Sequence, residues 1–82
     1  MRVEFFGIPR ERAGVAELEI QAETLGELFA TLATRFPSLG GLGQSGRSPF
    51  LASLNGGRFV SDPGLRLSES DCVLILSAEA GG

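Results

Sequence analysis

Cys72-Val73-Leu74-Ile75-Leu76 decides the fold of this 82-residue chain. It is a run of consecutive apolar residues between the polar bend Ser68-Glu69-Ser70-Asp71 and Ser77, the pattern of a strand buried on both faces. The run is far too short to span a bilayer. A strand that is apolar on both sides needs a neighbour on each edge, so it belongs in the interior of a sheet. Beyond Leu76 no hydrophobic side chain larger than that of alanine remains, so the residues that follow have nothing to bury.

Upstream, Arg2-Val3-Glu4-Phe5-Phe6 alternates, with Val3 and Phe5 on one face and Arg2, Glu4 and Phe6 on the other. Gly7 to Gly14 reads as a turn punctuated by Gly7, Pro9 and Gly14. Alternation resumes in Glu17-Leu18-Glu19-Ile20, which pairs most simply with the first strand as a hairpin. Thr24 is a good helix N-cap, and Glu27 completes a capping box. Leu25, Leu28, Phe29, Leu32 and Phe36 then recur at helical spacing and predict an amphipathic helix over 25–35, stopped by Pro37. Ser38 to Pro49 is rich in glycine and serine and reads as a long, mobile surface loop. Phe50 to Leu54 reads as a short strand, and Asn55-Gly56 as the hairpin turn into Arg58-Phe59-Val60. Asp62-Pro63-Gly64 marks a further turn, and Leu65 and Leu67 flank Arg66.

The first hairpin cannot cover its own apolar face, so the helix must pack across it. Laid beside the first strand and parallel to it, the final strand gains both neighbours, and the connection becomes a crossover of right-handed sense. The expected architecture is α+β: a β-grasp, or ubiquitin-like, mixed sheet packed on one main helix. Residues 1–78 make up the domain, and 79–82 form a flexible C-terminal tail ending in Gly81-Gly82.

Composition excludes several functions. The formal charge is −3, and the cations, all arginine, are scattered at 2, 10, 12, 35, 47, 58 and 66. They leave no electrostatic footprint for nucleic acid, and a basic partner surface is the better match. The absence of histidine excludes a histidine metal site or triad, and the one cysteine, Cys72, excludes an internal disulfide and fits a reducing compartment. A domain this short has little room for a deep active site of its own. The opening strand pattern lacks the layout of a signal peptide, so the expected location is cytoplasmic, with no membrane association. Gly40-Gly41-Leu42-Gly43 looks like a fragment of a phosphate-binding loop, but it opens no helix and lacks the lysine.

Chemistry is left to the tail. Gly81 and Gly82 have no Cβ, so they can thread a narrow channel and bring the Gly82 carboxylate to a partner's active site. A carboxylate is a poor electrophile; as an acyl-adenylate it becomes a good one. A sulfur nucleophile that displaces AMP then leaves a thiocarboxylate. With no phosphate loop in this chain, no cofactor is bound here, and the ATP is used by the activating partner. Cys72 sits in a strand with no obvious cation beside it, the setting of a small packing residue. The chain contains no lysine, and hence no ε-amine for its own activated tail to meet.

Val3-Glu4-Phe5-Phe6-Gly7 with Arg10-Glu11 and Gly14 resembles the start of the small, sulfur-carrier subunit of molybdopterin synthase. Leu54-Asn55-Gly56, Val60, Leu65-Arg66-Leu67, Asp71, Val73 and the Gly-Gly end are similar to the rest of that family and its thiamin-pathway relatives, the ThiS-like, ubiquitin-like sulfur carriers. The likeness spans nearly the whole chain outside Ser38 to Pro49. Glu69-Ser70-Asp71 stands where the family usually has Asp-Gly-Asp, and Ser77 and Ala78 replace prolines common after the last strand. The resemblance implies that Gly82 is adenylated by a ubiquitin-activating-like adenylyltransferase and converted to the thiocarboxylate, with Gly81 beside it. It implies further that the tail enters a molybdopterin synthase large subunit, which transfers the sulfur to a pterin precursor in molybdenum cofactor biosynthesis. Apolar residues at the positions of Phe6, Phe59 and Leu76 would form the patch that meets both partners. The chain would then be a non-catalytic small subunit. The alternatives are a carrier for thiamin, cysteine or tRNA thiolation, a ubiquitin-like modifier forming isopeptide bonds, or a binding domain with an inert tail.

Overall fold

The computed structural model describes residues 1–39, 42 and 49–78. In chain order they form β1 (Arg2–Phe5), α1 (Ile8–Ala13), β2 (Glu17–Glu19), α2 (Leu25–Arg35), a 3₁₀ turn (Pro37–Leu39), β3 (Phe50–Leu54), β4 (Arg58–Val60) and β5 (Cys72–Ser77). Among the described residues the five strands make one sheet in the order β2-β1-β5-β3-β4. The doubly apolar β5 lies at its centre, as its sequence demands. It runs parallel to β1, with Val3 opposite Val73 and Phe5 opposite Ile75, and antiparallel to β3, with Ala52 opposite Ile75. The expected β-grasp architecture is therefore the observed one.

One face of the sheet is the floor of the core. Val3, Phe5, Val73, Ile75, Phe50 and Ala52 are buried there, and α2 lies across them with Leu25, Leu28, Phe29 and Leu32. Thr24 caps α2 by accepting the Glu27 N–H on Oγ1 at 3.2 Å. Such a cap contributes about 1 kcal/mol. The first amides of α2 are also occupied: Leu25 N–H donates to Leu65 O at 2.9 Å and Gly26 N–H to Pro63 O at 3.0 Å. The segment between β4 and β5 thus satisfies donors that every helix start leaves open, and in doing so seats Leu65 and Leu67 against the core. The turn after β3 has positive φ at both central positions, Asn55 at 52° and Gly56 at 68°, as a type I′ hairpin turn requires.

Two expectations are corrected. Gly7 to Gly14 is a helix rather than a turn. Pro9 stands in the first turn of α1, where its missing N–H costs nothing, and Gly14 closes it in the left-handed conformation with its N–H on Arg10 O at 3.0 Å. The punctuation was that of a helix start and stop. Nor is Ser38 to Pro49 wholly a surface loop: Leu39 is fully buried and Leu42 nearly so, both in the core cluster. Residues 40, 41 and 43–48 of that stretch lie outside the described residues. Phe36 completes this side with a T-shaped contact to Phe5, the ring centroids 5.7 Å apart. Among the described residues no helix is long and apolar enough to cross a membrane.

Candidate functional site

Ser77 ends β5 opposite Phe50, and the next residue, Ala78, still donates its N–H to Pro49 O at 2.9 Å. The backbone is held in the sheet up to that bond. The expected reactive residues, Gly81 and Gly82, and with them the whole 79–82 segment, lie outside the described residues. Their point of departure, however, is fixed: it is the end of the central strand, at the end of the sheet where β1 runs out into α1. Arg12 of α1 sets its guanidinium 5.7 Å from the centroid of the Phe50 ring, and Ser38 Oγ donates to Arg12 O at 2.8 Å. Helix, 3₁₀ turn and β3 therefore meet beside the root of the tail.

The face of the sheet away from α2 carries the apolar residues expected at a partner surface. Phe6 is 59% exposed and Phe59 62% exposed, while Leu76 is half-buried. The register places them in neighbouring rows. Phe6 donates its N–H to Ile75 O at 3.0 Å, which continues the β1–β5 ladder and sets it beside Leu76, itself opposite Leu51. One row away lie Glu4, Leu74, Ser53 and Phe59. Phe6 and Phe59 are thus separated by the strands β5 and β3, a span of about 14 Å at ordinary strand spacing. Leu74, Leu76 and Leu51 fill the interval, and each is half-buried on this face. The sequence reading named Phe6, Phe59 and Leu76 but passed over Leu51. Alternation in β3 does put Leu51 and Ser53 on one side, yet nothing local says which side faces water.

Cys72 lies in the same face, one row further from the tail, and its surroundings differ from those expected. Arg2 is its direct partner in the parallel ladder. The Cys72 side chain, then Glu17 and Glu4, raise the pKa of the Arg2 guanidinium above its usual value. A cation does stand beside the thiol, brought there by pairing between strands seventy residues apart in sequence order (Arg2 with Cys72). Arg2 also contacts Glu4 and Glu17 at 3.5 Å. These are exposed pairs and contribute little to stability.

A groove of about 350 Å³, lined by Met1, Gln21, Ala22, Glu23, Leu67, Ser68 and Glu69, opens at the far end of the sheet from Ser77. Among the described residues no group of three or more potential metal ligands gathers. What the geometry offers is a ladder-anchored strand whose C-terminal end emerges beside an apolar face. Such an arrangement suits delivery of a terminus to another protein.

Comparison with known proteins agrees with this geometry. A model of the ThiS family matches residues 3–82. A search of curated proteins finds no match. Among solved structures, the solution structure of small archaeal modifier protein 1 from Methanosarcina acetivorans superposes with a TM-score of 0.76 at 23% identity, covering 99% of this chain and 94% of that one. The crystal structure of small archaeal modifier protein 1 from Haloferax volcanii gives a TM-score of 0.74 at 18% identity, covering 100% and 98%. A second crystal structure of the Haloferax volcanii protein gives 0.71 at 18% identity, covering 94% of each chain. At these identities the structural likeness establishes the ubiquitin-like fold.

Proposed function

The chain belongs to the ThiS family, and from that membership we propose that it is a sulfur carrier whose Gly82 is adenylated by a partner and converted to a thiocarboxylate. One observation carries the reading: the family match extends through Gly82, and the last described residue before the tail, Ala78, is anchored by its bond to Pro49 beside the Phe6–Leu76 face. The partners are a ubiquitin-activating-like adenylyltransferase, which supplies the ATP site, and an acceptor enzyme that takes the tail. Phe6, Phe59 and Leu76, with Leu51 and Leu74 between them, are the surface that docks on both. Docking there holds the tail at high effective concentration in the partner's site.

The acceptor we favour is a molybdopterin synthase large subunit, on the strength of Val3-Glu4-Phe5-Phe6-Gly7 and Arg10-Glu11 at the start of the chain. A second reading has its own support. The superposable structures are of proteins named as modifiers, so conjugation of Gly82 to amines of other proteins uses the same adenylate with a different nucleophile. Intact-mass analysis after incubation with the cognate activating enzyme, ATP and a sulfur donor tests the proposal. The expected gain is one sulfur in place of one oxygen, located on Gly82. A gain located on Cys72 would overturn it. Conversion of the cyclic pterin precursor on adding the large subunit assigns the branch; sulfuration of a thiazole, cysteine or tRNA precursor through another enzyme reassigns it.

A further inference from the structure

The bond from Ala78 N–H to Pro49 O lies one residue past the final pair of the β3–β5 ladder, Ser77 with Phe50. A rung in that place has a neighbouring rung on one side only and opens more readily than those inside the sheet. Whether it stays closed depends on what holds Pro49 and Phe50 at the start of β3. Phe50 is buried in the core cluster. The Arg12 guanidinium stands 5.7 Å from its ring centroid, within the range of a cation–π contact. Arg12 is held in turn by the 3₁₀ turn: its backbone O accepts Ser38 Oγ at 2.8 Å, and its Nη1 lies 3.5 Å from Ser38 O. Three elements far apart in sequence thus brace the strand end that accepts the last rung.

Gly82 follows Ala78 by four residues, so a closed rung keeps its carboxylate within about 14 Å of Ala78's place in the sheet. Opening the rung frees Ala78 and loosens Ser77 behind it. The longer free segment dilutes the carboxylate at the mouth of the partner's site. We propose that Arg12 is a positioning residue. Acting through Phe50 and Pro49, it keeps the Ala78 rung closed and so sets the point from which the tail reaches into the activating partner. Its part is in presenting the carboxylate and not in the chemistry at Gly82. The inference rests on the proposed activation of Gly82 but concerns different atoms, so the two can fail separately.

An exposed cation–π contact shifts an equilibrium by about two- to fivefold, which sets the size of the expected effects. Amide hydrogen exchange reads the rung directly. In Arg12→Ala the Ala78 amide should exchange about two- to fivefold faster than in wild type, with the Val73 amide in the central strand unchanged. Arg12→Lys, which keeps a cation for the ring, should stay close to the wild-type rate. An unchanged Ala78 rate in Arg12→Ala, or no recovery in Arg12→Lys, would overturn the inference. Equal acceleration at Val73 would mark a general loss of stability and overturn it too. The second arm measures adenylation by the cognate activating enzyme. Arg12→Ala should lower kcat about two- to fivefold with KM held, because the Phe6–Leu76 face is untouched; a raised KM at unchanged kcat would make Arg12 a docking residue instead. Ala78→Pro removes the N–H of the rung and keeps the extended backbone that Ser77 already has. In that background Arg12→Ala should change kcat less than about 1.5-fold, since the route through which it acts is gone. A full Arg12→Ala effect there would overturn the inference. Absence of any adenylate from wild-type protein overturns the proposed function, and the exchange rates still decide what Arg12 does to the rung.

Discussion

Asn55 and Asp71 are hydrogen-bonded side chain to side chain, Asn55 Nδ2 donating to Asp71 Oδ1 at 3.0 Å. The same Asn55 accepts the Cys72 N–H on its Oδ1 at 2.8 Å and donates its own backbone N–H to Cys72 O at 2.8 Å. Asp71 Oδ2 in turn accepts the Ser68 N–H at 2.8 Å. A turn residue chosen for its positive φ therefore also clamps the chain as it enters the central strand. The bend Ser68 to Asp71 is tied shut by the carboxylate, in a stretch where the family's usual glycine is replaced by Ser70.

That clamp sets a pH dependence. The Asn55 amide, and then the Ser68 N–H, hold the Asp71 carboxyl below its ordinary pKa. A carboxyl with a folded-state pKa below its unfolded value stabilises the fold above the unfolded pKa, about 3.9 for aspartate. That contribution is lost as pH falls through the folded value. Asp71→Asn turns an amide toward two donors and should cost about 1 kcal/mol at pH 7. Its thermal stability should also fall less steeply than wild type below pH 4 in a melting series. Equal acid slopes would show that the clamp contributes nothing through its charge.

The core prediction concerns Leu32, fully buried on α2 over the sheet. Leu32→Ala should destabilise by about 2–5 kcal/mol, as removal of a buried leucine side chain does. Denaturant titration reads this as a lower midpoint with an unchanged slope. A loss under 1 kcal/mol would mean that α2 packs more loosely than its burial indicates.

How much of this was open to inspection in the sequence follows from the range of the interactions involved. The α2 boundaries were legible because Thr24, the leucine spacing and Pro37 act within a few residues of one another. The central place of β5 was legible because a doubly apolar run has few other solutions. The helix at Ile8–Ala13 was not, since six residues hold too few repeats to show a helical period. Leu39 and Leu42 were hidden by their glycine- and serine-rich neighbours, although isolated leucines in such a stretch are a signal worth weighting. Arg2 beside Cys72 and Leu51 beside Leu76 depend on strand pairing, which local pattern does not specify. The apolar face was legible in part, through Phe6 falling out of phase with Val3 and Phe5.

Partner binding should separate from folding at that face. Phe6→Asp and Phe59→Asp replace side chains more than half exposed. Each should change stability by no more than about 1 kcal/mol, the range of strand-propensity effects. Each should weaken the complex with the activating enzyme by about tenfold or more, as loss of an aromatic anchor does. Calorimetric titration beside a thermal melt checks both. Binding at wild-type strength would remove these residues from the docking surface.

Cys72→Ser should leave sulfur transfer intact, because the proposed carrier group is the Gly82 carboxylate. The Arg2 guanidinium beside the thiol makes this a sharper test than the sequence alone suggested, since a neighbouring cation is one feature of reactive cysteines. A folded Cys72→Ser protein that forms no thiocarboxylate would assign the sulfur relay to the thiol.

Removal of Gly81 and Gly82 separates scaffold from chemistry. The buried core of the described residues ends at Ile75, and the sheet closes with Ser77 opposite Phe50 and the Ala78 N–H on Pro49 O. Every one of these contacts lies upstream of the deleted pair. The truncated chain should therefore melt within about 2 °C of wild type, since a loss of 1 kcal/mol would move a domain of this size by about 4–8 °C. It should also keep its affinity for the activating enzyme to the extent that the Phe6–Leu76 face supplies it. Adenylate and thiocarboxylate should both be absent, because the carboxylate now presented belongs to Ala80 and sits two residues short of the partner's reactive centre. A large drop in melting temperature would show that the glycines support the fold. An unaltered yield of thiocarboxylate would show that neither the reach of the tail nor glycine at its end matters to the activating enzyme, and would remove Gly81 and Gly82 from the mechanism proposed for them.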